Sequence, residues 1–187
     1  MINVTNSQLN RAIEALQHIP NAVPKALSAA INRAAEGART EAVKKVKEEY
    51  VITASRVRET IHIFKANPAN LTAAITSRGR LRALSYFKTN PSKPLTRRIT
   101  RQLIAHVKRT GGEKISGAFI AKTRSGHVGV FNRVGKARLP LVQRYGPSVP
   151  QMMGEPRVSS HIEQESKRRL DDRIEHEISR ILRGAGL

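Results

Sequence analysis

The chain of 187 residues carries 34 Lys and Arg against 14 Asp and Glu, a formal net charge of +20 with a pI near 11.4, and only 4% aromatic residues. The lack of Cys excludes a disulfide framework, a thiolate metal site and a thiol nucleophile, and no apolar run approaches the roughly 18–20 residues a membrane span needs. A hydrophobic fraction of 39% suits a single domain with a modest core of Ala, Val, Ile and Leu. The first residues, MINVTNSQLNRAIEAL, lack the basic-then-apolar pattern of a secretory signal, so synthesis and assembly in a cytoplasm are expected.

A short helix is predicted first, capped by Asn6 or Ser7, with Leu9, Ile13 and Leu16 on one face. The stretch Ile19-Pro-Asn-Ala-Val-Pro24 breaks it, and a second helix runs to about Glu49, with Asn21 as its cap and Pro24 in its first turn. Its apolar positions Leu27, Ala30, Ile31, Ala34, Ala38, Ala42, Val43 and Val46 recur at helical spacing, opposite Arg33, Glu36, Arg39, Lys44, Lys47 and Glu48. An Ala-rich stripe lets another element approach closely. Gly37, which costs about 1 kcal/mol against Ala within a helix, would be retained for such packing.

From residue 51 to 154 the pattern is irregular and β-rich. One or two helical turns over Thr53–Thr60 precede strands Ile61–Phe64 and Leu71–Thr76, joined by the turn Asn67-Pro-Ala-Asn70. A further strand is predicted over Ala83–Lys88. Asn90-Pro-Ser-Lys-Pro94 then interrupts, Ile99–Lys108 alternates unevenly, and Gly111-Gly112 makes a turn. Ala118–Ala121 and His127–Phe131 form a hairpin about Thr123-Arg-Ser-Gly126. The Pro- and Gly-rich stretch 129–153 reads as an extended arm. The last zone, 155–187, is one long helix starting near Pro156, with Val158, Ile162, Leu170, Ile174, Ile178, Ile181 and Leu182 in one stripe. The pairs Glu163/Lys167, Glu165/Arg169 and Arg173/Glu177 flank it at i, i+4, and Gly184 and Gly186 end it. The expected fold is α+β, a single domain over 1–187. Its long amphipathic terminal helices would pack on a mainly antiparallel sheet with extended loops.

Charge is distributed unevenly. Between Thr60 and Gly154 there are 18 Lys and Arg and one acid, Glu113, a net +17, while the two ends add only +3. A block of one sign on this scale points to a polyanion or an acidic protein partner. The cluster Arg97, Arg98, Arg101, Lys108 and Arg109 is the strongest candidate for the surface that faces it. Such contacts neutralise phosphates without reading sequence. Phe64, Tyr86, Phe87, Phe119 and Phe131 lie on apparent strands and read as sheet core before they read as base-stacking platforms.

Enzymatic chemistry lacks a constellation. The six His show no HExxH spacing, and His161 and His176 sit among ordinary helix charges. His127, between Gly126 and Gly129, is the best reactive candidate, yet Glu113 is the sole carboxylate between Thr60 and Gly154. Paired-carboxylate and two-metal sites need several acids there, and neither a Walker-type loop nor GxGxxG is present. No catalytic residue, metal site, cofactor or small-molecule substrate is expected.

The order of motifs along the chain resembles the minor tail protein Z family of tailed phages and prophages, the lambda-like tail-completion proteins. The resemblance rests on IPNAVPKALSAAINRAA (19–35), ARTEAVKKV (38–46), YVITASRVR (50–58), GAFIAK (117–122), SGHVGVF (125–131), RLPL (138–141) and RYGPSVPQM (144–152), followed by the terminal amphipathic helix. Residues 78–114 match least. The resemblance implies a structural, non-enzymatic virion component that completes the tail at its head-proximal end and supports head–tail joining and genome entry. It implies a ring of copies, six being the expectation from position on a tail. Tail terminator, tail tube or connector proteins would be its neighbours, and packaged double-stranded DNA a candidate contact; no membrane is involved. A sequence-independent nucleic-acid-binding protein is the alternative. For the arm, Tyr145, Pro147, Pro150, Met152 and Met153 are the candidate subunit or partner contacts. Proline lowers the entropy of the free arm, and Tyr and Met give adaptable contact surface. The competing reading folds the arm back with Tyr145 and Met152 in the core.

Overall fold

The computed structural model describes residues 2–95 and 102–185. Secondary structure is mixed α+β, with helices towards both ends and, among the described residues, four small antiparallel sheets. Contacts divide the chain into two compact units: a helical unit (Met1–Lys45, Arg58–Ser77, Glu155–Leu187) and a basic unit (Val46–Val57, Arg78–Gly154).

In the helical unit, helix α1 spans Asn6–Leu16. Its N-cap is Thr5, not Asn6 or Ser7, because Gln8 completes a capping box: Thr5 N donates to Gln8 Oε1 at 2.8 Å while Gln8 N donates to Thr5 Oγ1 at 3.4 Å. The buried face is Gln8, Ala12 and Leu16, whereas Ile13 is exposed. Of the expected face, Leu16 is buried and Leu9 packs partly against the core, so Ile13 alone departs from it. Helix α2 (Ala22–Glu49) buries every position of the expected stripe. Asn21 precedes it with φ 58°, a left-handed backbone rather than the extended geometry of a cap.

Strands β1 (Ile2–Asn3), β2 (Ile61–Phe64) and β3 (Thr72–Ser77) form the sheet of this unit, in the order β1-β3-β2. The expected hairpin pairs Ile61 with Ser77 and Phe64 with Ala74. In its turn, Asn67 Oδ1 accepts from the amides of Ala69 and Asn70 at 3.0 and 2.7 Å. Asn32 on α2 holds the end of β2 by a two-way amide pair: its Nδ2 donates to Ala66 O at 2.9 Å and its Oδ1 accepts from Ala66 N at 2.8 Å.

The long C-terminal helix, here αC (Pro156–Gly184), places Leu170, Ile174 and Ile178 in one cluster with Leu27, Ala30, Ile31 and Ala34 of α2 and Leu16 of α1. Each fully buried Leu or Ile contributes about 1.5–3 kcal/mol, and the Ala residues on α2 keep the helix backbones close. Gly37 is part of this packing: a Cβ there would stand 2.8 Å from Arg169 Cδ. Arg169 in turn donates to Glu41 Oε1 at 2.6 Å. Of the three flanking pairs expected on αC, Glu165–Arg169 is made, at 3.7 Å, but Glu177 pairs with Arg180 at 2.7 Å instead of with Arg173. Arg168 also grips Glu165 at 2.8 Å, and this hydrogen bond holds the Glu165 carboxyl below the usual carboxylate range.

The basic unit begins with the last turn of α2 and the short helix α3 (Ala54–Arg58), of which residues through Val57 belong to it. The strand expected over Ala83–Lys88 is instead β4 (Arg82–Ala83), a 3-10 turn (Leu84–Tyr86) and β5 (Lys88–Asn90). The turn buries Leu84, and Phe87 beside it is also buried. β6 (Leu103–His106) joins β5 and β7 (Glu113–Ile115) in the order β5-β6-β7, with Gly111 and Gly112 between β6 and β7. The β8 (Ala118–Lys122) and β9 (Val128–Arg133) hairpin forms as expected, Phe119 opposite Phe131.

The Pro- and Gly-rich stretch is structured rather than an open arm. β10 (Leu141–Gln143) pairs with β9, and β11 (Tyr145–Gly146) pairs with β4. A short helix, α4 (Val149–Gly154), follows. A second capping box starts it: Ser148 N donates to Gln151 Oε1 at 2.8 Å and Gln151 N to Ser148 Oγ at 3.4 Å. Val149 and Met152 are fully buried. Of the five aromatics read as sheet core, Phe87 and Phe131 are buried, whereas Phe64 and Tyr86 are exposed.

Candidate partner-binding site

The basic unit holds 19 Lys and Arg against three acids, Glu48, Glu49 and Glu113, a net +16; the helical unit holds 15 against 11, a net +4. One-to-one pairing with the unit's own acids could neutralise at most three of its cations. Several rest on aromatic faces. The guanidinium of Arg56 lies 4.1 Å from the Tyr86 ring centre, that of Arg133 lies 5.1 Å from Phe119, and the Lys108 ammonium lies 5.8 Å from Tyr50. Such contacts contribute about 0.5–1 kcal/mol each at exposed sites and leave the positive charge in place.

A groove of about 820 Å³ opens in this unit, with Tyr50, Leu81, Leu84, Lys108, Glu113 and Tyr145 among its lining residues. Backbone pairing sets its walls. Tyr50 and Lys108 face each other as an isolated bridge, and Val51 N donates to Val107 O at 2.9 Å. Tyr145 is registered against Ala83, and Leu84 N donates to Arg144 O at 3.1 Å. The Tyr145 backbone is therefore fixed while its side chain stays 53% exposed; Leu81 is 52% exposed. Gly146 permits close approach at this wall, since a Cβ there would stand 2.7 Å from Phe87 Cε2.

The residues expected to carry function separate clearly. Lys108, Tyr145 and Pro147 all line the groove. Arg109 does structural work: its Nε donates to Lys47 O at 2.6 Å and its N to Glu49 O at 2.9 Å, satisfying carbonyls that the end of α2 would leave open. Pro150 lies in the first turn of α4, Met153 is half-buried, and Met152 lies in the interior. Arg97, Arg98 and Arg101 lie outside the described residues. Leu81 and Tyr50 escaped sequence reading. Leu81 sits between Arg80 and Arg82 without periodicity, and Tyr50 lies at a helix end where length alone gives no burial signal.

His127 is exposed, its Nε2 3.1 Å from Gln143 Nε2. Among the described residues no group of three or more His, Asp or Glu is placed to hold a metal ion, and no helix is long and apolar enough to cross a membrane. In the helical unit a hollow of about 520 Å³ is lined by Arg33, Arg173, Arg180 and His176, with Glu177.

The class so defined is an α+β protein with an internally paired helical unit and a cation-rich unit bearing a groove of mixed apolar and polar lining. Its family follows from sequence: the model of the family described as Prophage minor tail protein Z (GPZ) matches residues 8–185, and the chain belongs to that family. It is a bacteriophage minor tail protein, and a virion component is what that family implies. No curated protein and no solved structure matches the chain.

Proposed function

We propose that this minor tail protein completes the tail at its head-proximal end, as a structural and non-enzymatic component that supports head–tail joining and genome entry. Its copies form a ring, six being the number expected, beside tail terminator, tail tube or connector proteins, after assembly in the host bacterial cytoplasm. The observation that carries this reading is the concentration of charge: net +16 in one unit of a tail protein. A ring of such units would attract DNA phosphates or an acidic neighbour over a Debye length of about 8–10 Å. The exposed groove gives that attraction a place to become a specific contact.

The same charge favours a second reading, a sequence-independent nucleic-acid-binding protein acting outside the particle. One experiment separates the two. Particles made without the chain should yield separate filled heads and tails, and purified protein added back should restore joining. Normal joining without it, together with duplex binding that weakens steeply with salt, would establish the second reading instead.

A further inference from the structure

We propose that the groove of the basic unit is a docking site for an extended acidic segment of another protein, which seats one large apolar side chain between Leu81, Leu84 and Tyr145. The proposal rests on the reading of this unit as partner-facing and names the chemistry of the partner. Three observations carry it.

The first is size and lining. About 820 Å³ lies within the range of roughly 300–1,000 Å³ typical of sites that enclose a compact ligand. It is too small for a duplex, and its mixed lining includes an apolar part with Leu81, Leu84, Ile115 and Tyr145 beside the polar Lys108, Glu113 and Gln151. Leu81 and Tyr145 are each about half exposed, so a ligand would cover surface that water now meets.

The second is preorganisation. Tyr145 is held through its backbone by pairing with Ala83, and its neighbour Arg144 donates its N–H to Val130 O at 2.8 Å and accepts from Leu84 N at 3.1 Å. An aromatic anchor on a fixed backbone loses little freedom on binding. Across the groove, β7 is the outer strand of β5-β6-β7, and its residues Glu113 and Ile115 line the groove, so an extended chain can run beside it.

The third is charge. Lys108 lines the groove within a unit of 19 cations and three acids. An acidic segment is attracted, whereas the basic unit of a second copy would bring like charge to this groove, so the contacts of a ring would fall outside it. Glu113 is the acid in the lining and opposes the ligand, which gives the proposal a residue whose removal should strengthen binding.

The test uses a fluorescein-labelled 12-residue peptide of Glu and Ser with one central Phe, read by polarisation against the full chain. Saturable binding is expected. Tyr145→Ala and Leu81→Asp should each weaken it about tenfold, as should replacing the peptide's Phe by Ser, while Glu113→Gln tightens it a few-fold. Both altered side chains are about half exposed, so unchanged circular dichroism and melting are expected, and either variant alone decides the matter. Equal binding by all variants would reduce the effect to bulk charge and overturn the proposal. So would displacement of the peptide by a single-stranded oligonucleotide of equal charge, or self-association of the chain that Leu81→Asp abolishes. Failure here leaves the joining experiment untouched, and failure of joining leaves peptide binding untouched.

Discussion

In the helical unit 15 Lys and Arg meet 11 acids, and Arg11, Arg33, Arg168, Arg169 and Arg180 each reach a carboxylate. In the basic unit 19 cations meet three acids, and Arg56, Lys108 and Arg133 lie over aromatic rings. The first arrangement closes the field on itself. The second keeps side chains ordered while leaving the field directed outward. Where a protein tolerates unbalanced charge shows where a partner of the opposite sign belongs, because self-repulsion costs stability without one.

The comparison also concerns what holds each unit together. In the helical unit the apolar cluster should dominate and the ion pairs should be secondary. Ile31→Ala should therefore give the largest effect, a loss of about 2–5 kcal/mol in urea unfolding. A loss below about 1 kcal/mol would mean that the cluster is not the main support.

A smaller effect is expected at the contact of Arg169 with Glu41, whose side chain is 13% exposed. Arg169→Ala should cost about 1–3 kcal/mol, because it leaves that carboxylate without its 2.6 Å donor. Gly37→Ala should destabilise the wild-type chain by pushing Arg169 aside, yet stabilise the Arg169→Ala chain by up to about 1 kcal/mol through helix propensity. Additive effects of the two changes would sink the coupling.

Much of the helical unit was legible in the sequence. Period 3.6 over Leu27–Val46 and Val158–Leu182 marked the buried stripes, and Asn67-Pro-Ala-Asn70 marked a hairpin turn. What escaped was reciprocal local chemistry. Thr5-x-x-Gln8 and Ser148-x-x-Gln151 are capping boxes with Gln where Glu is the more familiar partner, and each set a helix start: the first placed the cap of α1 at Thr5, the second began α4 within the expected arm. The strand misplaced over Ala83–Lys88 shows a different limit. Leu84 and Phe87 are both buried although three residues apart, a spacing that a tight turn satisfies and alternation does not.

The candidate site was half legible. Lys108, Tyr145 and Pro147 stood out by charge or by the Pro/Gly setting, and they meet in one groove. Arg109 carried the same signal as Lys108 but spends its Nε on Lys47 O, because only the fold decides which of two neighbouring cations faces a helix end. Met152 carried the same signal as Tyr145 but lies inside, since Ser148 turns the chain into a helix four residues earlier.

The most direct measurement is electron microscopy of purified particles carrying a label on this chain. A tail-completion role predicts density at the head-proximal end of the tail, in a ring with the same number of copies in every particle. Label at the distal end, scattered along the tube, or absent from mature particles would contradict it.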